Sequence, residues 1–221
     1  RETKKISQKS QKELNNVERI WKVYDINFIH YKNSMKLFFF DTETTGLNPD
    51  KDRIIQFWAI FWTLDEKTGK FHEERIINQY IKIDEEIPEQ ASNVHHIYKT
   101  DLEPFGYIQD YIKEFVAYMT KADYLIGHNV DYDRKMFMGE INRCEVKFNP
   151  NDHKRFDTMT STIDLVNWPW GKRPRLMELY RFLFGKEFDD AHDAMADIRA
   201  TKDCFLELYK TGKITLPNNQ S

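Results

Sequence analysis

Cysteine, glycine and long apolar runs are all scarce in this chain of 221 residues. Its two cysteines, Cys144 and Cys204, cannot build a disulfide framework and supply no CxxC metal spacing. No stretch reaches the roughly 18 to 20 consecutive apolar residues that a membrane-spanning helix needs, so no membrane partner is expected. Neither sign of charge dominates: 33 Lys+Arg face 36 Asp+Glu, a net of −3, which excludes a binder relying on bulk positive charge. There is no internal repeat and no low-complexity tract. Aromatic side chains are plentiful instead, with 16 Phe, 11 Tyr and 5 Trp, too many for a disordered chain. The length fits one domain around a single core, with room for an appendage. The expectation is a reduced, soluble, globular and cytoplasmic protein.

Residues 1–34 hold eight Lys/Arg and four Asp/Glu, a net of +4, which leaves −7 for the remainder. The chain begins at Arg1 rather than Met, consistent with residues missing upstream. Leu14, Val17, Trp21, Tyr24, Phe28 and Tyr31 recur at three- and four-residue steps, the stripe of an amphipathic helix. Packing on its own domain is the ordinary reading of that stripe, and a protein partner binding through residues 12–31 is the alternative. From Met35 the period changes. Lys36-Leu37-Phe38-Phe39-Phe40 is a short apolar run of the kind buried on both faces of a sheet. Arg53–Thr63 and Phe71–Ile83 read as two further strands joined by a turn at Asp65–Gly69. Helical patterns follow at Ala91–Tyr98 and Phe105–Lys121, then a strand at Asp123–Gly127 and a helix from Tyr132 to Arg143. Further helices are expected at Thr158–Val166, Leu176–Phe184 and Ala194–Tyr209. Three meandering strands followed by alternating helices and strands predict an α/β domain with a mixed sheet flanked by helices. It covers residues 35–210, after an N-terminal extension (1–34) and before a flexible tail (211–221).

The strongest chemical signal ends the first strand, Asp41-Thr42-Glu43-Thr44-Thr45-Gly46-Leu47. Side chains alternate along a strand, so Asp41 and Glu43 share a face while Thr42 points away. Two carboxylates so placed repel each other and cost desolvation, which a divalent cation explains better than a solvated strand end. A second signal, Gly127-His128-Asn129-Val130-Asp131-Tyr132-Asp133, spans a strand-to-helix junction, where α/β sheets commonly place ligands. Asp131 reads as an N-cap and Asp133 as an inward carboxylate, and spacing alone leaves the choice open. The third signal pairs His192 with Asp197. Were both helical they would lie roughly 140° apart on the wheel, so His192 fits better on the loop before the helix, as a base beside an anchored carboxylate. Singly, a surface His and a helix Asp are the default.

Together and in this order, the three segments resemble the histidine subtype of the DEDD (DnaQ-like) 3′→5′ exonucleases over about residues 35–210. Asp-x-Glu-Thr-Thr-Gly is met by Asp41, Glu43, Thr44, Thr45 and Gly46. His-Asn-x-x-aromatic-Asp is met by His128, Asn129, Tyr132 and Asp133, which favours Asp133 over Asp131. His followed five residues later by Asp is met by His192 and Asp197. A Val-His-Gly-Ile segment common in the family stands here as Val94-His95-His96-Ile97, with His96 in place of Gly. Arg155-Phe156-Asp157-Thr158 looks like the family's strand-to-helix step, with Asp157 as a cap.

The resemblance implies a ribonuclease-H-like fold and hydrolysis of terminal phosphodiesters with two Mg²⁺ or Mn²⁺ ions held by Asp41, Glu43, Asp133 and Asp197. It implies His192 as general base and nucleoside 5′-monophosphates as products. It places Thr42, Thr44, Leu47, His95, His128 and Asn129 against the substrate, nucleic acid with a free 3′ end, DNA preferred over RNA. Lys172, Arg173 and Arg175 beside Trp168-Pro169-Trp170 offer local basic help and stacking surfaces, although a Pro-punctuated loop packed on the core is the plainer reading. The alternatives are an RNA-trimming exonuclease of the same fold and an inactive nucleic-acid- or polymerase-binding module.

Overall fold

The computed structural model describes residues 34–188 and 194–216. Five strands form one sheet: β1 Ser34–Thr44, β2 Ile54–Asp65, β3 Lys70–Tyr80, β4 Tyr124–Gly127 and β5 Lys154–Asp157. Their spatial order is β3-β2-β1-β4-β5. β1, β2 and β3 form an antiparallel meander, whereas β4 runs parallel to β1 and β5 parallel to β4. The helices are α1 Glu89–His95, α2 Lys99–Leu102, α3 Ile108–Lys121, α4 Val130–Arg143, α5 Ile163–Val166, α6 Leu176–Phe184 and α7 Ala194–Lys210. This is the mixed α/β sheet that the pattern of periods predicts.

The run at Leu37–Phe40 is apolar throughout because β1 faces two cores. Phe38 and Phe40 point to one layer, with Phe57, Phe115 of α3 and Phe137 of α4. Leu37 and Phe39 point to the other, with Trp58, Ile60 and Phe205 of α7. In the first layer Phe57 stacks on Phe115 with ring centroids 4.1 Å apart, and in the second Phe39 meets Phe205 edge-on at 5.4 Å. Burying each such ring contributes roughly 1.5–3 kcal/mol, so the centre of β1 is anchored from both faces.

Pairing across β1 is unequal, and that inequality makes the site. With β2 the ladder runs on to Thr44, but with β4 it covers only Leu37–Phe39 opposite Tyr124–Ile126. Beyond Phe39 the two parallel strands part, and the N-terminus of α4 enters the gap. The chain goes from β1 towards β2 on one side and later to β4 on the other, the reversal at which open α/β sheets bind ligands.

Several boundaries differ from the sequence reading for local reasons. The helix expected over Thr158–Val166 is a 3₁₀ turn, Thr160–Thr162, followed by the short α5. Ser161 and Thr162 hydroxyls bond back to the carbonyls of Asp157 (2.6 Å) and Thr158 (2.7 Å), competing with regular helix. α3 begins at Ile108 rather than Phe105, because the Tyr107 N–H donates to Asp110 Oδ2 at 3.0 Å and fixes the start there. β3 ends at Tyr80, and only an isolated bridge pairs Lys82 with Tyr107 beyond it. Ile214 and Leu216, in the stretch expected to start a flexible tail, pack on the α7 side of the sheet. The amphipathic segment 12–31 lies outside the described residues.

Candidate active site

Asp41 and Glu43 continue the register of Leu37 and Phe39, so they face the α7 layer, where Asp197 sits in the first turn of α7. Burial, with the charge of Asp197 adding to it, pushes the Asp41 carboxyl up to about 7. Glu43 is raised to about 8 by burial first and then by Asp41 and Asp197. Thr42 faces the opposite layer, and there α4 delivers Asp133. The Thr42 amide and hydroxyl both donate to Asp133 Oδ1, at 3.0 and 2.8 Å. That amide lies where β4 has left the ladder, so a carboxylate from α4 takes the vacated bond. Asp133 is 2% exposed. Burial and the Asp41 charge hold its carboxyl well above the usual carboxylate range, against the pull of the Thr42 bonds.

Of the two candidates, Asp133 is the one that faces inward beside Asp41. Asp131 is exposed and pairs with Arg134 at 3.2 Å and Arg155 at 3.6 Å. The N-cap of α4 is Asn129, in a left-handed conformation with φ 74°. Asp157, expected as a cap, lies two residues before Met159, which caps the 3₁₀ turn; its Oδ1 accepts from the amides of Met159 and Asn129 at 2.9 Å each and so ties the end of β5 to the start of α4. His192 lies outside the described residues.

Four carboxylates from β1, α4 and α7 thus share one electrostatic neighbourhood. Among the described residues no three of them close into a ready coordination shell. The donor set nevertheless fits a hard divalent cation: all the ligand atoms are oxygens, Asp133 is buried and the other three half-buried, and their mutual repulsion is what such an ion relieves.

A groove of about 720 Å³ opens beside the carboxylates, its wall including Glu43, Thr44, Leu47, His95, Asn129 and Tyr132. Thr44 Oγ1, Tyr132 Oη and the Gly46 carbonyl form a triangle with sides of 2.6, 2.8 and 3.0 Å. Leu47 and Val94 stand exposed on its rim. His95 Nδ1 accepts the Ile97 amide at 3.1 Å. The neutral ring therefore carries its proton on Nε2, which is buried with no hydrogen-bond partner. Burial lowers the His95 pKa, while the Thr44 carbonyl works the other way. His96 caps α1 at φ 56°, a left-handed conformation that Gly adopts freely, so the backbone turn of the Val-His-Gly-Ile segment survives the replacement. His128 stands apart from the groove residues, because both its ring nitrogens serve the fold. Nε2 meets the Pro174 carbonyl and Nδ1 meets Thr158 Oγ1, each at 3.0 Å.

One device was not legible as functional in the sequence. Glu140 on α4 is fully buried and accepts from the Ile54 amide (3.0 Å), Arg53 Nε (3.1 Å) and Arg143 Nε (3.1 Å). Arg143 in turn donates to the carbonyls of Pro49 (2.8 Å) and Asp52 (2.9 Å). This strut ties the loop 45–53, which carries Leu47, to the helix that carries Asp133. Gly139 completes the contact, since a Cβ there would collide with the Pro49 carbonyl oxygen. An i, i+3 Glu–Arg pair on a helix was the only hint.

The five-stranded mixed sheet with its acidic cleft at the switch point is a ribonuclease-H-like fold. Residues 38–205 match the family model described as RNase_T, Exonuclease, and the chain belongs to that family. It is 29% identical over 169 residues to the DNA polymerase III subunit epsilon of Treponema pallidum, covering 75% of this chain and 73% of that protein. It is 29% identical over 170 residues to the 3′-5′ exonuclease DinG of Staphylococcus haemolyticus, covering 77% of this chain but 18% of that one. Among solved structures, E. coli exonuclease I in complex with a dT13 oligonucleotide superposes with a TM-score of 0.64 at 25% identity, over 80% of this chain and 41% of that chain. No helix among the described residues is long and apolar enough to cross a membrane.

Proposed function

We propose that this domain removes nucleoside 5′-monophosphates one at a time from the free 3′ end of single-stranded DNA. The observation that carries the reading is the convergence of Asp41, Glu43, Asp133 and Asp197 beside an open groove, the first three with carboxyl pKa values raised by burial and by their neighbours. Two divalent cations, Mg²⁺ or Mn²⁺, held by these four side chains would supply the positive charge that an in-line displacement at phosphorus requires. The chain's own residues do the rest. Thr42 fixes Asp133 Oδ1 through two hydrogen bonds, so that the carboxylate faces Asp41 in one orientation. Leu47 and Val94 offer apolar contact to the terminal base across the groove mouth. His95, its ring set by the Ile97 amide on Nδ1, lines the groove with Asn129 and Thr44, and the three complete its polar wall. His192 takes the proton of the attacking water. A preference for DNA is supported by the relatives named above.

The test is digestion of 5′-labelled single-stranded DNA and RNA of one sequence, with Mg²⁺ and with EDTA. Shortening from the 3′ end, faster on DNA and stopped by EDTA, is expected. Equal cutting of a circular single strand would make the protein an endonuclease, and faster RNA shortening would move the substrate class to RNA.

A further inference from the structure

The loop between α5 and α6 does not pack as its sequence suggests. Asn167 to Arg173 are exposed without interruption, and Trp170 is 102% exposed, as open as a side chain in an extended peptide. Exposing an indole forgoes the largest apolar burial any residue offers. The backbone holds it out at some cost: Trp170 has φ 65°, and Gly171 follows at φ 64°. A left-handed conformation is disfavoured for a bulky residue. Trp168, 40% exposed, has Lys172 Nζ 5.5 Å from its ring centroid. No acidic residue occurs from 165 to 177, whereas Lys172, Arg173 and Arg175 do. Lys172 also pairs with Glu178 at 2.5 Å, and Arg173 makes no ion pair among the described residues.

The base of this loop is tied to the active site. Pro174 is buried, and its carbonyl is held by His128 Nε2 at 3.0 Å. The residue after His128 is Asn129, part of the groove wall. The exposed aromatic and basic face therefore stands at the same carboxyl end of β4 as the carboxylates. Two π-faces interleaved with cations, on a domain otherwise net negative, match single-stranded nucleic acid: bases to stack and phosphates to neutralise.

We infer that the Trp168–Arg175 loop is a second, upstream contact for the single strand, stacking a base on Trp170 while Lys172 and Arg173 meet its phosphates. This deepens the exonuclease reading and rests on it. The terminal nucleotide occupies the groove, and the loop holds strand lying on its 5′ side. Short substrates do not reach the loop; long ones do.

The experiment compares the wild-type chain with Trp170→Ala, Trp170→Phe and Lys172→Gln/Arg173→Gln on a trinucleotide and on a 20-nucleotide single strand in Mg²⁺. In parallel, anisotropy of the labelled 20-mer is measured in EDTA across a salt series. Trp170→Ala is expected to raise KM on the 20-mer roughly 5- to 160-fold, the range for losing one base–aromatic stack. Trinucleotide kinetics should stay unchanged, and Trp170→Phe should recover much of the loss. The double Gln variant should lower the salt slope of binding by about 0.7 per cation removed. Unchanged KM and unchanged salt slope on the 20-mer would overturn the proposal and leave the loop to a protein partner. Equal loss on both substrates would also overturn it, by placing the effect at the groove or in the fold. Should wild type cut nothing, the anisotropy arm still decides the loop, so the two readings fail separately.

Discussion

Two loops reach the carboxyl end of the sheet, and they are built on opposite terms. The loop 45–53 is over-determined: Glu140, Arg53, Arg143 and the cradle at Gly139 fix it to α4, and a single leucine, Leu47, stands out at 82% exposure. The loop 167–175 is anchored at its base, by Pro174 on His128 and by the Lys172 and Arg175 bonds to Glu178, and Asn167 to Arg173 are solvent-exposed. One loop is placed by buried charge, the other by backbone conformation with nothing packed on it. Under the proposed function the contrast separates two jobs. Register of the terminal nucleotide needs a part that cannot shift against Asp133, whereas holding a strand of any sequence needs aromatic surface that every base can use.

The comparison is sharpened first by removing the chemistry that both loops serve. Asp133→Asn keeps an oxygen acceptor for Thr42 but loses the charge. Turnover should fall roughly 10³-fold or more with little change in the metal-free melting temperature, measured by single-turnover kinetics and thermal denaturation in EDTA. A large loss of stability would make Asp133 chiefly a structural group. Cutting the strut is the next largest effect. Glu140→Ala strands two arginines that shared a buried partner and should cost about 3–5 kcal/mol, read by urea denaturation, while Glu140→Gln retains the acceptor for Ile54 and loses less. If Glu140→Ala were as stable as wild type, the first loop would be no better fixed than the second.

The metal-free protein should also show its carboxylates in a pH series. Asp41 and Glu43 have folded pKa values raised to about 7 and about 8 from 3.8 and 4.5. The folded state therefore holds protons that the unfolded state has released, and stability should fall as pH rises from about 4 to 8. The melting temperature in EDTA should drop across that window and drop less in Mg²⁺, so the gap between the two curves widens with pH. A melting temperature in EDTA that rises over the same window would mean the carboxylates are not crowded. The smallest effect belongs to the second loop. Trp170→Ala should change stability by no more than about 0.5 kcal/mol in either direction, since nothing packs on the indole; a larger loss would show that the loop is built into the fold after all.

How far the sequence reveals this molecule depends on the distance over which each residue finds its partner. β1 is legible because its burial on two faces is written in four consecutive apolar residues, Leu37–Phe40, and Asp41 with Glu43 follows from the strand period alone. Asp131 and Asp133 both fall in one helical turn, and what separates them is Thr42, 91 positions from Asp133. His128 reads as a substrate contact within its own motif, but its partner at Pro174 is 46 positions away. Glu140 looks like a surface residue of a polar helix until Ile54, 86 positions earlier, supplies the amide it accepts. Trp170 misleads for a different reason: tryptophan in a Pro-containing loop ordinarily packs, and the left-handed backbone that turns it outward has no signature in residue type other than the glycine that follows.

The amide of Thr42 has one further consequence. In most sheets an amide at this depth is protected by a neighbouring strand and exchanges with solvent deuterium only when the sheet opens. Here the acceptor is a carboxylate carried by a helix, so a single proton is shielded only while α4 stays seated against β1. Its exchange rate counts how often the assembled site comes apart, and does so in the protein without substrate, label or turnover.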